Sequence, residues 1–403
     1  MLKIGIIKEN KQPADKRAPL TPDNCSTLLK TSPSQIEIWV EHSLDRVFTD
    51  EAYQQAGCKI TTDMQHCDFL FGVKEVPVLY LVPNKTYFFF SHTIKQQASN
   101  QKMLQAMIEQ KNTLIDYEKL VKDDQRILGF GYHAGIVGAY NGLLTYGKKT
   151  GPFELKPAHL LEHYESMVDQ IKDIQFPAMQ IVLTGGGRVA QGALQLLKDA
   201  GIQQVNKDDY LTRQPNAQFV HLKSEDIYVS KDGKPYDRTH FHQNHQAYNI
   251  NFEPFYEKTD LMINGIFWTK DMPSFFSKEE TAKANFNIAV IADISCDING
   301  SIPITYQATS IEKPVIGWDK INLKPCDPYT ANSIDIMAVS NLPCELPKDA
   351  SALFGNDLAT KVFPEIMNNE STILDDATIL KDGKLTEKYD YLEQYAYGDL
   401  IEH

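Results

Sequence analysis

Met179-Gln180-Ile181-Val182-Leu183-Thr184, followed at once by Gly185-Gly186-Gly187-Arg188-Val189-Ala190-Gln191-Gly192, is the stretch on which the reading of this chain turns. The first six residues are a short apolar run of the kind that makes a buried strand. A helical pattern follows to Ala200, Gly201 closes it, and Ile202–Val205 begins another strand. Strand, glycine loop and helix in that order give meaning to the spacing Gly185-x-Gly187-x-x-Ala190. Gly185 permits the tight turn, Gly187 lets the backbone approach a pyrophosphate, and Ala190 keeps the helix near the sheet. Amides at the helix start have no partner within the helix and lie at the positive end of its dipole, so they favour phosphate. The expectation is a Rossmann half-unit for a dinucleotide, NAD or NADP. The choice between the two stays open. NAD domains place an Asp or Glu at the end of the second strand for the ribose hydroxyls, and here that stretch is Val205-Asn206-Lys207-Asp208-Asp209. Lys207 suits a 2′-phosphate and Asp208 a ribose.

Upstream, strands and helices alternate. Leu2–Lys8, Ile36–Val40, Asp68–Val73, Thr86–Phe90 and Thr113–Ile115 read as strands. Thr21-Pro22 starts a helix as N-cap and first helical residue, and residues 100–110 form another. Such alternation predicts a parallel sheet. Ligands of open parallel sheets gather at the carboxyl ends of strands. Lys74, His92 and Glu118 each follow a strand at that end and are expected to share one crevice. Residues 127–170 read as mostly helical, and their small-residue run AGIVGAYNGLL suits close packing against a neighbour. Residues 206–258 read as irregular and polar, with a hairpin-like turn at Val229–Gly233. Leu261–Ile263 and Ile288–Ile291 are further strands of the second sheet. From about residue 320 the character changes, which predicts a return to the first domain.

The composition narrows the function classes. At 403 residues the chain is long enough for two domains, and 42% hydrophobic residues supply their cores. The net charge of −13 comes without any Lys/Arg block, which argues against a nucleic-acid partner. No apolar run approaches a membrane span, and MLKIGIIKEN begins a strand pattern rather than a leader. Cys25, Cys58, Cys67, Cys296, Cys326 and Cys344 form no CxxC pair, as expected of thiols in a reducing, cytoplasmic setting. His240, His242 and His245 lie in the polar insertion without cysteines nearby and read as a solvated loop, so no metal is expected. Tyr389, Tyr391, Tyr395 and Tyr397 read as packing of a terminal helix.

Several segments carry a family resemblance. Lys16-Arg17-Ala18-Pro19-Leu20-Thr21-Pro22, Gly72-Val73-Lys74-Glu75-Val76-Pro77 and Phe90-Ser91-His92-Thr93-Ile94-Lys95 resemble the lysine-forming saccharopine dehydrogenases. So do Leu114–Lys119, Phe130–Gly135, Ile263–Trp268, Ala292–Ser295 and Asn341–Pro343. The similarity is greatest to the lysine–2-oxoglutarate reductase portion of the bifunctional enzymes of animals and plants. The wider group includes alanine dehydrogenase and transhydrogenase domains. The resemblance implies an α/β fold of two doubly wound Rossmann-like domains with the active site in the cleft between them. Residues 1–130 plus 320–403 would make the first domain and 131–319 the dinucleotide domain. It also implies reductive condensation of L-lysine with 2-oxoglutarate to saccharopine through an imine.

By the same resemblance Lys74 and His92 fill the acid–base roles. Burial and mutual repulsion would lower both of their pKa values. Glu75 could tune Lys74. Arg17 matches the family's substrate arginine, a natural bidentate partner for carboxylates. Lys95 and Arg126 would assist it, and Glu118 would receive an amine or a ribose. Gly185, Gly187, Arg188, Val189, Ala190, Lys207, Asn264, Gly265 and Asp293 are assigned to the cofactor, although Asp293 suits a turn cap equally well. Lys74 and His92 are equally compatible with an alanine dehydrogenase-like enzyme, and a non-catalytic nucleotide-binding relative is a third alternative. The bifunctional relatives continue into a second enzyme. This chain stops at His403, so internal transfer of product to such a domain is not expected.

Overall fold

The structure, a computed structural model, describes residues 1–401 apart from residues 12, 213–214 and 369. Gln12 therefore lies outside the described residues. The chain divides into two units, Met1–Phe130 with Pro347–His403, and Gly131–Leu346.

The first unit is built on a sheet whose six parallel strands are β1 (Leu2–Ile6), β2 (Ile36–Glu41), β3 (Lys59–Thr61), β4 (Phe69–Lys74), β5 (Thr86–Phe90) and β6 (Thr113–Asp116). Their spatial order is β3-β2-β1-β4-β5-β6. The strand order therefore reverses between β1 and β4, the switch point at which doubly wound sheets bind ligands. The antiparallel hairpin Thr378–Lys381/Lys384–Leu385 extends the β6 edge. Phe71, Phe88, Tyr117, Phe354 and Phe363 are buried in its core. The helix α1 (Pro22–Thr31) starts as expected: the Thr21 hydroxyl accepts from the Asn24 amide, with Pro22 in the first turn. In the terminal tyrosine run, Tyr389 and Tyr395 are buried while Tyr391 and Tyr397 stay about half exposed.

The second unit opens with the helix α2 (Gly131–Thr150). Its sheet contains β7 (Gln180–Thr184), β8 (Gln203–Val205), β9 (Gln218–Leu222), β10 (Leu261–Asn264), β11 (Val290–Asp293), β12 (Val315–Asp319), β13 (Lys324–Cys326) and β14 (Ser333–Met337). The order is β8-β9-β7-β10-β11-β14-β12-β13. Residues 320–346, expected in the first domain, instead finish this sheet, because β14 pairs in parallel with β11 and antiparallel with β12. The helix α3 (Arg188–Asp199) follows the glycine loop. It lies against α2 at backbone distance. A Cβ on Gly135 would fall on the Val189 carbonyl oxygen, and one on Gly192 on the Tyr132 carbonyl oxygen. The small-residue run thus packs as its composition suggested.

The described residues of 206–258 are more ordered than their polarity suggested. They contain β9, a core strand, and an antiparallel pair, Tyr228–Ser230 with Tyr248–Ile250. His240 Nδ1 lies 3.1 Å from the Tyr248 hydroxyl. Among the described residues, no three His, Cys, Asp or Glu side chains converge as a metal would need. No helix among them is long and apolar enough to cross a membrane.

Candidate functional site

Lys74 ends β4 and His92 follows β5, so both stand at carboxyl ends beside the switch point of the first sheet. Burial, and then the positive charge of Arg17, lower the pKa of the Lys74 amine. Lowering favours the neutral amine, the form able to take a proton. Glu75 connects the two elements. Its carboxylate receives Lys11 Nζ, and its Oε2 lies 3.4 Å from His92 Nδ1. Burial alone would raise the Glu75 carboxyl, but the contacts from His92 and Lys11 overrule it and hold it at about 2. His92 itself sits in the left-handed region, at φ 53° and ψ 14°. A non-glycine residue there stores strain, a feature that clusters at functional positions.

The turn carrying His92 is held by Asp116, at the end of β6. Asp116 accepts from the Ser91 hydroxyl and the Ser91 amide (3.1 Å), and from the Glu118 amide (2.7 Å). One buried carboxylate therefore ties the turn bearing His92 to the turn bearing Glu118. The Glu118 side chain is buried and pairs with Arg126 Nη1 at 3.6 Å. Arg17 is only 2% exposed. Its guanidinium donates to Asp15 through Nε (3.0 Å) and Nη2 (2.6 Å), and lies over the Phe130 ring at 4.3 Å. The substrate arginine read from the sequence is thus held by an internal carboxylate. Lys95 is exposed in the short turn after His92.

The sequence reading passed over Glu9, although the strand-end rule that selected Lys74 applies to it too. Its carboxylate accepts from the Val73 amide (2.6 Å) and from the Lys74 amide (3.0 Å).

In the second unit the glycine loop joins β7 to α3. Gly185 has φ +112°, and a Cβ there would lie 2.7 Å from the Gly265 carbonyl carbon, so only glycine fits. Gly187 faces open space, Gly186 meets only the Lys223 side chain at 4.0 Å, and Ala190 is fully buried. Gly187, at the helix start, has no side chain to cap the first-turn amides. An open glycine face at a helix start with no N-cap side chain fits a pyrophosphate. Replacing Gly187 with tryptophan is expected to abolish dinucleotide binding in a fluorescence titration, and retained binding would refute the cradle.

Other cofactor candidates sit differently. Asn264 and Asp293 are fully buried and bonded to each other (2.9 Å). Thr184 donates to Asn264, while Ser295 and Thr305 donate to Asp293. Burial raises the Asp293 pKa. This closed network links the carboxyl ends of β7, β10 and β11. Gly265 packs against Val189, and Arg188 is exposed beside the loop.

Lys207 follows the edge strand β8 and pairs with Asp226 at 2.6 Å. One of the two strands beside β7 is β9, whose Leu222 pairs with Thr184 in register. The residue after it, Lys223, therefore lies beside the glycine loop. Its Cγ is 4.0 Å from where a Gly186 Cβ would stand. Lys223 thus follows the strand that pairs with the glycine-loop strand. Residues 205–209, read from the sequence for the ribose, end the edge strand β8, with β9 between it and β7.

Fold and loop together define a two-unit α/β protein of the dinucleotide-binding class. The chain belongs to the alanine dehydrogenase/PNT family, whose N-terminal domain model matches residues 5–137 and whose C-terminal domain model matches residues 159–391. It is 28% identical to an alpha-aminoadipic semialdehyde synthase of Arabidopsis thaliana, over 96% of this chain and 41% of that one. Identity to the mitochondrial enzyme of that name from Rattus norvegicus is 26%, over 97% of this chain and 47% of that one. The chain thus spans less than half the length of these two relatives. A saccharopine dehydrogenase (NAD(+), L-lysine-forming) of Emericella nidulans is 26% identical over 88% of this chain and 90% of that one. Among solved structures, an L-alanine dehydrogenase matches with TM-score 0.66 at 17% identity, over 99% of this chain and 100% of that one. At that identity the likeness shows the fold.

Proposed function

We propose that this chain is an oxidoreductase that joins the ε-amine of L-lysine to the keto carbon of 2-oxoglutarate, giving saccharopine, and runs the reverse reaction. The observation that carries the proposal is the Lys74–Glu75–His92 cluster at the switch point of the first unit, with Lys74 lowered by burial and by Arg17. The fungal relative named for this reaction matches nearly end to end, which supports the choice of substrates.

The chemistry follows from those groups. Attack of the amine on the ketone forms a carbinolamine, and loss of water forms an imine. Both steps need a proton accepted and returned near neutral pH. Neutral Lys74 can accept the proton from the attacking amine, and His92 can pass one to the departing water. Arg17, fixed by Asp15, supplies permanent positive charge for substrate carboxylates, with Lys95 and Arg126 as weaker contributors. Glu118 is the candidate for a substrate amine. The dinucleotide, when bound, supplies the hydride that reduces the imine carbon, and a proton completes the secondary amine. Gly185, Gly187, Arg188, Val189, Ala190 and Gly265 would hold it, and Asn264 and Asp293 would support the strand ends beneath.

Lys223 favours NADPH over NADH, because a 2′-phosphate would find a cation where NAD domains place a carboxylate. Replacing Lys223 with glutamate should weaken NADPH binding by about 10–100-fold, the worth of one charged hydrogen bond. NADH binding should hold or improve, and equal losses for both cofactors in a fluorescence titration would sink the assignment. Six free cysteines agree with the expected reducing, cytoplasmic setting.

The function is tested by following NADPH and NADH oxidation with lysine plus 2-oxoglutarate, with alanine dehydrogenase substrates, pyruvate and ammonia, as control. No lysine-dependent oxidation with either cofactor would overturn it. Turnover of the control pair alone would favour the alanine dehydrogenase-like alternative.

A further inference from the structure

We propose that Glu9 is a positioning residue for Lys74: its carboxylate grips the two successive amides at the bulged end of β4 and so keeps the Lys74 side chain in its dehydrated place. This inference rests on the acid–base role given above to Lys74.

Successive amides of an extended strand point to opposite sides. Here the Val73 and Lys74 amides both reach one carboxylate, at 2.6 and 3.0 Å. That requires the strand to depart from regular pairing, and its register against β5 shifts between Phe71 and Lys74. Pairing of β4 with β1 ends at Phe71 and Ile6, with a last bond from the Ile7 amide to the Phe71 carbonyl. Beyond that point Glu9, three residues past the end of β1, replaces the ladder. Two adjacent amides aimed at one point form an anion-binding concavity, and Glu9 is the built-in anion. Gly72 makes room for it, since a Cβ there would stand 3.4 Å from Glu9 Oε1 and 3.0 Å from Ile7 Cδ1.

The arrangement carries a cost that points to function. Burial, and then the charge of Asp15, push the Glu9 carboxyl up to about 7, against the lowering effect of its amide partners and Arg17. Between the ordinary carboxylate range and pH 7 the folded chain binds more protons than the unfolded one. Stability from this group therefore falls as pH rises through that window. The charged groups acting on Glu9 are Asp15 and Arg17 from the loop after β1, while Lys74 meets it through the backbone amide. Tyr117, at the end of β6, feels its charge, and Lys11 and His92 reach the cluster through Glu75. Above pH 7 the charged carboxylate holds both amides strongly. Below it, the protonated group loses one strong acceptor and the end of β4 loosens.

The test is competitive acetylation of Lys74 with acetic anhydride across pH, read by peptide mass spectrometry on the full chain. In Glu9→Gln the amide nitrogen faces an amide donor, so one grip is lost. Lys74 should regain water, and its labelling midpoint should move up toward that of an ordinary lysine by about one pH unit, a tenfold change in proton affinity. Lysine- and 2-oxoglutarate-dependent turnover should fall about 10²-fold, as for a misplaced catalytic group, with dinucleotide binding unchanged. Glu9→Asp, too short to span both amides, should show the same midpoint shift in smaller degree. An unshifted Lys74 midpoint in either folded variant overturns the proposal. Should both variants fail to fold, the wild-type labelling curve decides: it should carry a second inflection near pH 7, and a single inflection overturns the proposal. A shifted Lys74 midpoint in a chain that never turns over lysine and 2-oxoglutarate would refute the proposed substrates and leave the role of Glu9 standing.

Discussion

Replacing His92 with alanine is expected to cut turnover by about 10²–10⁴-fold, the range lost with a general acid–base group, while dinucleotide binding survives. The separation follows from the architecture. His92 belongs to the first unit, whereas the glycine loop and α3 belong to the second. Fold disruption is not the expected cause of the loss. The turn is held by Asp116 through the Ser91 hydroxyl and amide, and none of these contacts uses the imidazole. Alanine at φ 53° keeps only a local strain of about 1–2 kcal/mol. Steady-state assays beside a dinucleotide titration measure both quantities. Wild-type turnover in His92→Ala would remove the residue from the mechanism. Glu75, held at about 2, stays ionised through any ordinary assay, so it does not supply a pH limb near neutrality.

The second large effect lies in the other unit. Gly135→Val should destabilise the second unit by about 3 kcal/mol or more, beyond the usual cost of overpacking, because the obstacle is backbone. A Cβ there would fall on the Val189 carbonyl oxygen and stand 2.8 Å from the Ala193 nitrogen. Neither atom can turn aside as a side chain would. Since Val189 lies in the first turn of the helix after the glycine loop, dinucleotide affinity should fall together with the melting temperature. Calorimetry with and without NADPH checks both, and a Gly135→Val protein that melts like wild type would contradict the close approach of α2 and α3.

Much of this was legible in the sequence where local chemistry and global placement agree. Thr86–Phe90 reads as a strand because it is continuously apolar, and it is one. The glycine loop is legible because three properties coincide at one place: strand, turn and helix. The strand Gln218–Leu222 was not legible. It is five residues long, carries Gln218 and His221, and sits among polar neighbours, so nothing local marks it as a core strand. Its pairing on both sides, with β8 and with Val182 and Thr184 of β7, overrides its weak propensity. With that strand omitted, the expectation for the ribose fell at the end of β8, whereas Leu222, just before Lys223, ends the strand that pairs with the glycine-loop strand. At the candidate site, Lys74 and His92 were legible from strand ends. The grip of Glu9 was not, because it depends on a bulge, and bulges have no local signature of their own in this stretch.

The discontinuity of the first unit also sets an order in time. During synthesis Met1–Phe130 emerges first, yet Phe354, Phe363 and the hairpin that extends β6 are supplied from beyond residue 346. The second unit, Gly131–Leu346, is contiguous and complete before those residues leave the ribosome. Domains that are whole in sequence fold as they emerge. The later-encoded unit should therefore mature first, while the earlier one waits with the β6 edge and its aromatic core uncovered. An incomplete nascent chain would carry a finished glycine loop and an unfinished Lys74–Glu75–His92 cluster, so the second unit's site would take shape before the first unit's.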